Sequence, residues 1–83
     1  MKRIPIKVKS RNEKHFHSAE VLGVMPSIRI MAEGDIYLFP YDYREAVRTA
    51  ICILRKDGYP VFANVTKLDN VKYLKVEIHE QVN

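Results

Sequence analysis

Arg44, Arg48, Cys52 and Arg55 recur at i, i+4, i+8 and i+11, a spacing that places three guanidinium groups and one thiol along a single stripe of a helix. The chemistry such a stripe offers is electrostatic: fixed cations at one helical spacing neutralise the phosphates of a nucleic acid. Lys2, Arg3, Lys7, Lys9, Arg11 and Lys14 add a second set of cations, with only Glu13 against them up to His17. From Ser18 onward eight Lys and Arg meet nine Asp and Glu, so the net charge of +4 belongs to one end of the chain. Tyr37, Tyr41, Tyr59 and Tyr73 supply rings on which bases can stack.

Other chemistries find fewer residues. His15 and His17 form a His-x-His pair that could bridge a metal, with Glu13, Glu20 or His79 to complete a site, but the surrounding lysines repel a cation; no metal or other cofactor is expected. Cys52 is the one cysteine, which excludes an intramolecular disulfide and a cysteine-rich zinc site, and no sequence neighbour activates it as a nucleophile. Gly23, Gly34 and Gly58 are isolated rather than gathered into a phosphate-binding loop, and the turn context of Glu33, Asp35, Asp57 and Asp69 accounts for those carboxylates. The expectation is a protein that works by binding, not catalysis.

The elements that must hold these residues read as follows. A helix is expected over about 42–57, with Asp42 as its cap, Glu45 in a capping box, and Arg55, Lys56 and Gly58 at its end. Tyr43, Val47, Ala50, Ile51 and Leu54 form its apolar stripe. Val61 to Thr66 and Tyr73 to Ile78 alternate about an Asp69-Asn70 tip, a hairpin that would lay its apolar face on the helix and present Phe62, Thr66, Tyr73 and Lys75 on the other side. An earlier hairpin is read from Ser27 to Ala32 and from Ile36 to Phe39, turning at Gly34. Ala19 to Met25 fits either a buried strand or a helical turn, ended by Pro26.

At the start, Ile4, Ile6 and Val8 alternate with polar neighbours, and Pro5 confines that strand to a sheet edge unless residues 1–17 form a basic arm instead. The sum is a single α+β two-layer domain, an antiparallel sheet of hairpins on one central helix, with residues 18–83 as its body. At 83 residues the chain has room for one core. No apolar run approaches the roughly 20 residues needed to cross a bilayer, and the first residues alternate Ile with Lys, so a cytoplasmic protein with no membrane partner is expected.

Tyr43 to Val61 reads Tyr-Arg-Glu-Ala-Val-Arg-Thr-Ala-Ile and then Leu-Arg-Lys-Asp-Gly-Tyr-Pro-Val, with a hairpin following. In this it resembles small accessory proteins of tailed bacteriophages, built as a helix bearing Val-Arg, a basic-Gly stop and two strands. The resemblance implies a non-enzymatic protein, placed in the host cytoplasm, that touches nucleic acid or host machinery. Two partner classes follow. The first is nucleic acid, held by the basic helix face and the N-terminal cations. The alternative is a host protein or nucleoprotein complex, for example of defence or transcription, which the chain would inhibit or modulate through Tyr37, Phe39 and Tyr41 as anchors; a homodimer through the exposed hairpin edge Val71 to Ile78 belongs to the same class.

Overall fold

The computed structural model describes residues 3–79. Five antiparallel strands form one sheet: β1 (Ile4–Lys9), β2 (His17–Val21), β3 (Ile36–Pro40), β4 (Val61–Leu68) and β5 (Val71–Ile78), in the spatial order β2-β1-β3-β5-β4. Two helices, α1 (Val24–Arg29) and α2 (Arg44–Lys56), contribute to the core on one side of the sheet. The α+β two-layer reading holds, with two helices in place of one.

The stripe of α2 is as its spacing requires: Val47, Ala50, Ile51 and Leu54 are buried and join Phe39, Val61, Leu74 and Val76 in the core. Its end is a Schellman motif, in which Tyr59 N–H donates to the Leu54 carbonyl at 3.0 Å and Gly58 N–H to that of Arg55 at 3.1 Å. Gly58 takes φ +90° to make that reversal. The start differs from the expected capping box. Asp42 makes no capping bond; the chain enters through a 3-10 turn at Tyr41–Tyr43 that runs directly into α2.

The β4–β5 hairpin forms as expected, its strands running on to Leu68 and from Val71, and Asp69 and Asn70 both take positive φ (52° and 67°) at the two-residue tip. Its outer strand is β4, however. β5 is paired on both sides, so the edge expected at Val71 to Ile78 is not free.

Three other expectations are corrected. The segment read as a strand from Ser27 to Ala32 begins inside α1, so β3 has no hairpin partner there and pairs with β1 and β5 instead. The deciding pattern is Val24, Ser27, Ile28 and Met31, all buried at i, i+3, i+4 and i+7, while Ile30 is 76% exposed. The Ser27 hydroxyl is satisfied by the Val24 carbonyl at 2.8 Å. Pro26 sits in the first turn of this helix, where its missing N–H goes unused, so it does not end the segment.

The N-terminal strand is neither an arm nor an edge. β1 lies between β2 and β3, and Ile4 and Ile6 belong to the core. Pro5 is tolerated because the β1–β3 ladder covers only Lys7↔Leu38, Val8↔Tyr37 and Lys9↔Ile36. Continued, that register would set Pro5 opposite Pro40, two residues with no N–H to exchange, and the ladder stops short of them.

Separate helical and strand readings of residues 24–31 predict different mutational costs. Ile28→Ala is expected to destabilise by about 2–5 kcal/mol and Ile30→Ala by less than about 0.5 kcal/mol in denaturant unfolding. Equal costs at the two positions would restore the strand.

Candidate nucleic-acid interface

The outward side of α2 is set by its inward side. With Val47, Ala50, Ile51 and Leu54 facing the sheet, Arg48, Cys52 and Arg55 are left exposed. Arg44 heads the stripe. Its Nη1 donates to the Tyr41 carbonyl at 3.3 Å, and its guanidinium lies 4.8 Å from the centre of the Tyr41 ring, where Lys72 also approaches, at 5.4 Å. At the far end the Arg55 guanidinium lies 5.2 Å from the centre of the Phe62 ring, which His79 meets edge-on at 5.2 Å. Both ends of the stripe are anchored on aromatic rings.

Among the described residues, no carboxylate lies within ion-pair distance of Arg44, Arg48 or Arg55; the ion pairs are those of Glu13 with His17 and of Glu77 with Lys75 and His79. Arg48, Cys52, Arg55 and Lys56 form one wall of a groove, and Phe62, Ala63 and Asn64 of the outer strand β4 form the other. Consecutive residues of β4 line it, so its floor includes the strand's unpaired backbone edge.

The N-terminal cations do not join this stripe. Lys2 lies outside the described residues. Lys7 and Lys9 project from the sheet face opposite the helices, in two cross-strand rows. One row runs Ser18, Lys7, Leu38, Lys75 and Asn64; the next runs Lys9, Ile36, Glu77 and Phe62. Lys7 and Lys75 flank Leu38, which is only 1% exposed although it lies outside the helix-covered core; Phe16, Ile36, Thr66 and Lys75 line the hollow at Leu38. Lys7 Nζ donates to Ser18 Oγ at 2.8 Å, and Lys9 Nζ lies 5.9 Å from the Phe16 ring centre. Arg3 and Lys14 are exposed away from both rows, and Arg11 lies against the Gly34 turn. The predicted basic residues therefore occupy two faces of the sheet.

Two of the aromatic anchors read for a protein partner are packed inward. Phe39 is fully buried, and Tyr37 packs on the same core beside it, ring centres 6.3 Å apart; burial, with a contribution from Asp35, raises the Tyr37 phenol above its ordinary range. Tyr37 and Tyr41 are both half-buried, and Tyr41 is the one set against the cations Arg44 and Lys72. His15 is exposed and His17 Nδ1 lies 3.2 Å from Glu13, and the described residues hold no group of three or more His, Cys, Asp or Glu placed to share a metal.

A further concavity among the described residues was not visible in the sequence. Where the β1–β3 ladder ends at the two prolines, a cleft of about 730 Å³ opens between β1–β2 and the start of β5, its walls including Pro5, Pro40, Tyr41 and Tyr73. Lys7, Lys72, Ser18, Glu20 and Asp42 bring charge and polarity to its lining. Comparison with protein-family models, curated proteins and solved structures returned no match.

The loop that returns β1 to β2 carries its own titration signature. Glu13 accepts from the Ser10 hydroxyl and from the Ser10 N–H, the latter at 2.9 Å, and these bonds, with His17 adding to them, lower its carboxyl from the ordinary glutamate range. A depressed folded value means the contribution to stability is complete above the unfolded value and is lost as pH falls through the folded one. A carboxyl NMR titration is expected to place the Glu13 midpoint below that of an unperturbed glutamate, and Ser10→Ala to move it upward; an unmoved midpoint would contradict the assignment.

Proposed function

We propose that this protein is a non-enzymatic nucleic-acid-binding protein that holds the phosphate backbone along the outer stripe of α2. The observation that carries the reading is the stripe itself: Arg44, Arg48 and Arg55 on one helix face, with no carboxylate partner among the described residues. Unpaired cations at helical spacing cost little to recruit, because no existing ion pair must first be broken. The planar guanidinium fork then gives paired hydrogen bonds to phosphate oxygens.

The reading is non-enzymatic because the groove gives Cys52 cations and apolar neighbours but no base to take its proton. A viral accessory role in the host cytoplasm belongs to the same proposal, on the resemblance at Tyr43 to Val61. The separation of the basic residues onto two faces narrows the first partner reading: the α2 stripe is the principal contact, and Lys7 and Lys9 serve only a strand long enough to pass onto the open sheet face.

One observation favours the second class, a protein-binding modulator of a host complex. The outer edge of β4 is unpaired across a strand of eight residues, and such an edge is a template for an added strand.

Salt separates the two. Neutralising about three phosphates of a single strand gives a slope near −2 in log K against log salt, so affinity for a short oligonucleotide should fall by roughly 20-fold between 50 and 200 mM salt. Arg48→Glu with Arg55→Glu should abolish most of the binding and flatten the slope, as read by fluorescence anisotropy. Weak, salt-independent binding that both charge reversals leave unchanged would contradict the reading, and a protein from host lysate retained after nuclease treatment would favour the second class.

A further inference from the structure

We infer that the cleft between the two prolines receives one unpaired guanine base of a single-stranded nucleic acid whose backbone follows the α2 stripe. This inference rests on the proposed nucleic-acid reading and specifies its ligand.

The cleft and the stripe are continuous. Tyr41 belongs to the cleft lining and is also the ring on which Arg44, the first residue of the stripe, is placed at 4.8 Å. Lys72 lies 5.4 Å from the centre of the same ring and lines the cleft. Cations thus run from the cleft through Tyr41 to Arg44 and on to Arg48 and Arg55, so that a backbone leaving the cleft meets the stripe.

The shape and surface of the cleft suit a flat ring. Pro5 and Pro40 give the cleft apolar walls, and Tyr73, partly exposed and paired with Pro40 across the β3–β5 ladder, offers a ring against which a base can stack. A base still paired in a duplex cannot enter a gap within a sheet. The cleft therefore selects single strands.

Hydrogen-bond chemistry selects the base. The cleft lining carries two cations, Lys7 and Lys72, and two carboxylates, Glu20 and Asp42. A site for phosphate alone gains nothing from carboxylates. A base does, when it presents donors. Guanine offers N1–H and the N2 amino group side by side, matching the two oxygens of one carboxylate. Adenine and cytosine place an acceptor beside their amino group, and uracil has a single N–H between two carbonyls; a carboxylate repels those acceptors. Lys7 and Lys72 then remain for the flanking phosphates.

The test uses the 15N-labelled protein of 83 residues, guanosine and uridine monophosphates, and two single-stranded oligonucleotides, all-uridine and the same strand with one central guanosine. Guanosine monophosphate should shift the amides of Ser18, Ala19, Glu20, Lys72 and Tyr73, and uridine monophosphate should not. The single guanosine should tighten oligonucleotide binding about tenfold, the scale of one well-made base contact. Glu20→Gln, an exposed substitution that leaves packing alone, and Tyr73→Leu should each remove that gain while binding through Arg48 and Arg55 persists.

If the oligonucleotides bind equally and the cleft amides stay still, the cleft assignment is overturned and the stripe survives. If guanosine monophosphate shifts the cleft but neither oligonucleotide binds, the cleft assignment stands for the free nucleotide and the proposed function fails. Silence in both measurements overturns both.

Discussion

The packing of one helix stripe on one sheet face orders everything else in this protein. Val47, Ala50, Ile51 and Leu54 meet Phe39, Val61, Leu74 and Val76, side chains that are almost wholly withdrawn from water. Burying a side chain of this kind is worth about 1.5–3 kcal/mol, a large share of the stability available to so small a domain. Because the stripe is helical, its burial also fixes what faces outward. Arg48, Cys52 and Arg55 have no freedom to turn away, so the functional surface is the geometric complement of the core. The 3-10 turn before the helix and the Schellman motif after it hold that rotation at both ends.

A second constraint comes from prolines. Pro5 and Pro40 lie where β1 and β3 would continue to pair, and neither can donate to the ladder. The sheet therefore stays closed at the Lys9↔Ile36 end and opens at the other, where β3 turns directly into the helix entry. A gap in the sheet and the start of the basic stripe thus fall together at Tyr41. Missing N–H groups, usually a cost, here leave room for a cleft.

Much of the fold was legible, and the misreadings share a cause. The α2 stripe and the β4–β5 hairpin have long, unambiguous periods and turn residues that suit their backbone. Residues 24–31 are short and apolar, and Ile28 and Ile30 alternate as a strand would. Only burial of Ile28 with exposure of Ile30 separates that pattern from the helical one through Val24, Ser27 and Met31. β2 gives almost no signal, since an outer strand with mostly exposed residues has no apolar face to announce it. In Ile36 to Phe39 every residue is apolar or aromatic, so nothing local says that Tyr37 and Phe39 point to the helices. Leu38 is buried on the other face beside residues distant in sequence, Phe16, Thr66 and Lys75 among them. The arginine stripe was readable from spacing; the division of the cations between two faces depends on strand order, and so does the cleft.

The most direct measurement places the bound strand relative to the helix. Cys52 is exposed between Arg48 and Arg55, which makes it a reporter at the middle of the proposed contact. Its alkylation rate is measured with and without a saturating single-stranded oligonucleotide, at low salt and again at high salt where the strand is released. The account predicts strong protection at low salt that disappears at high salt. A thiol that reacts equally fast with the strand bound would put the nucleic acid elsewhere and contradict the account at its centre.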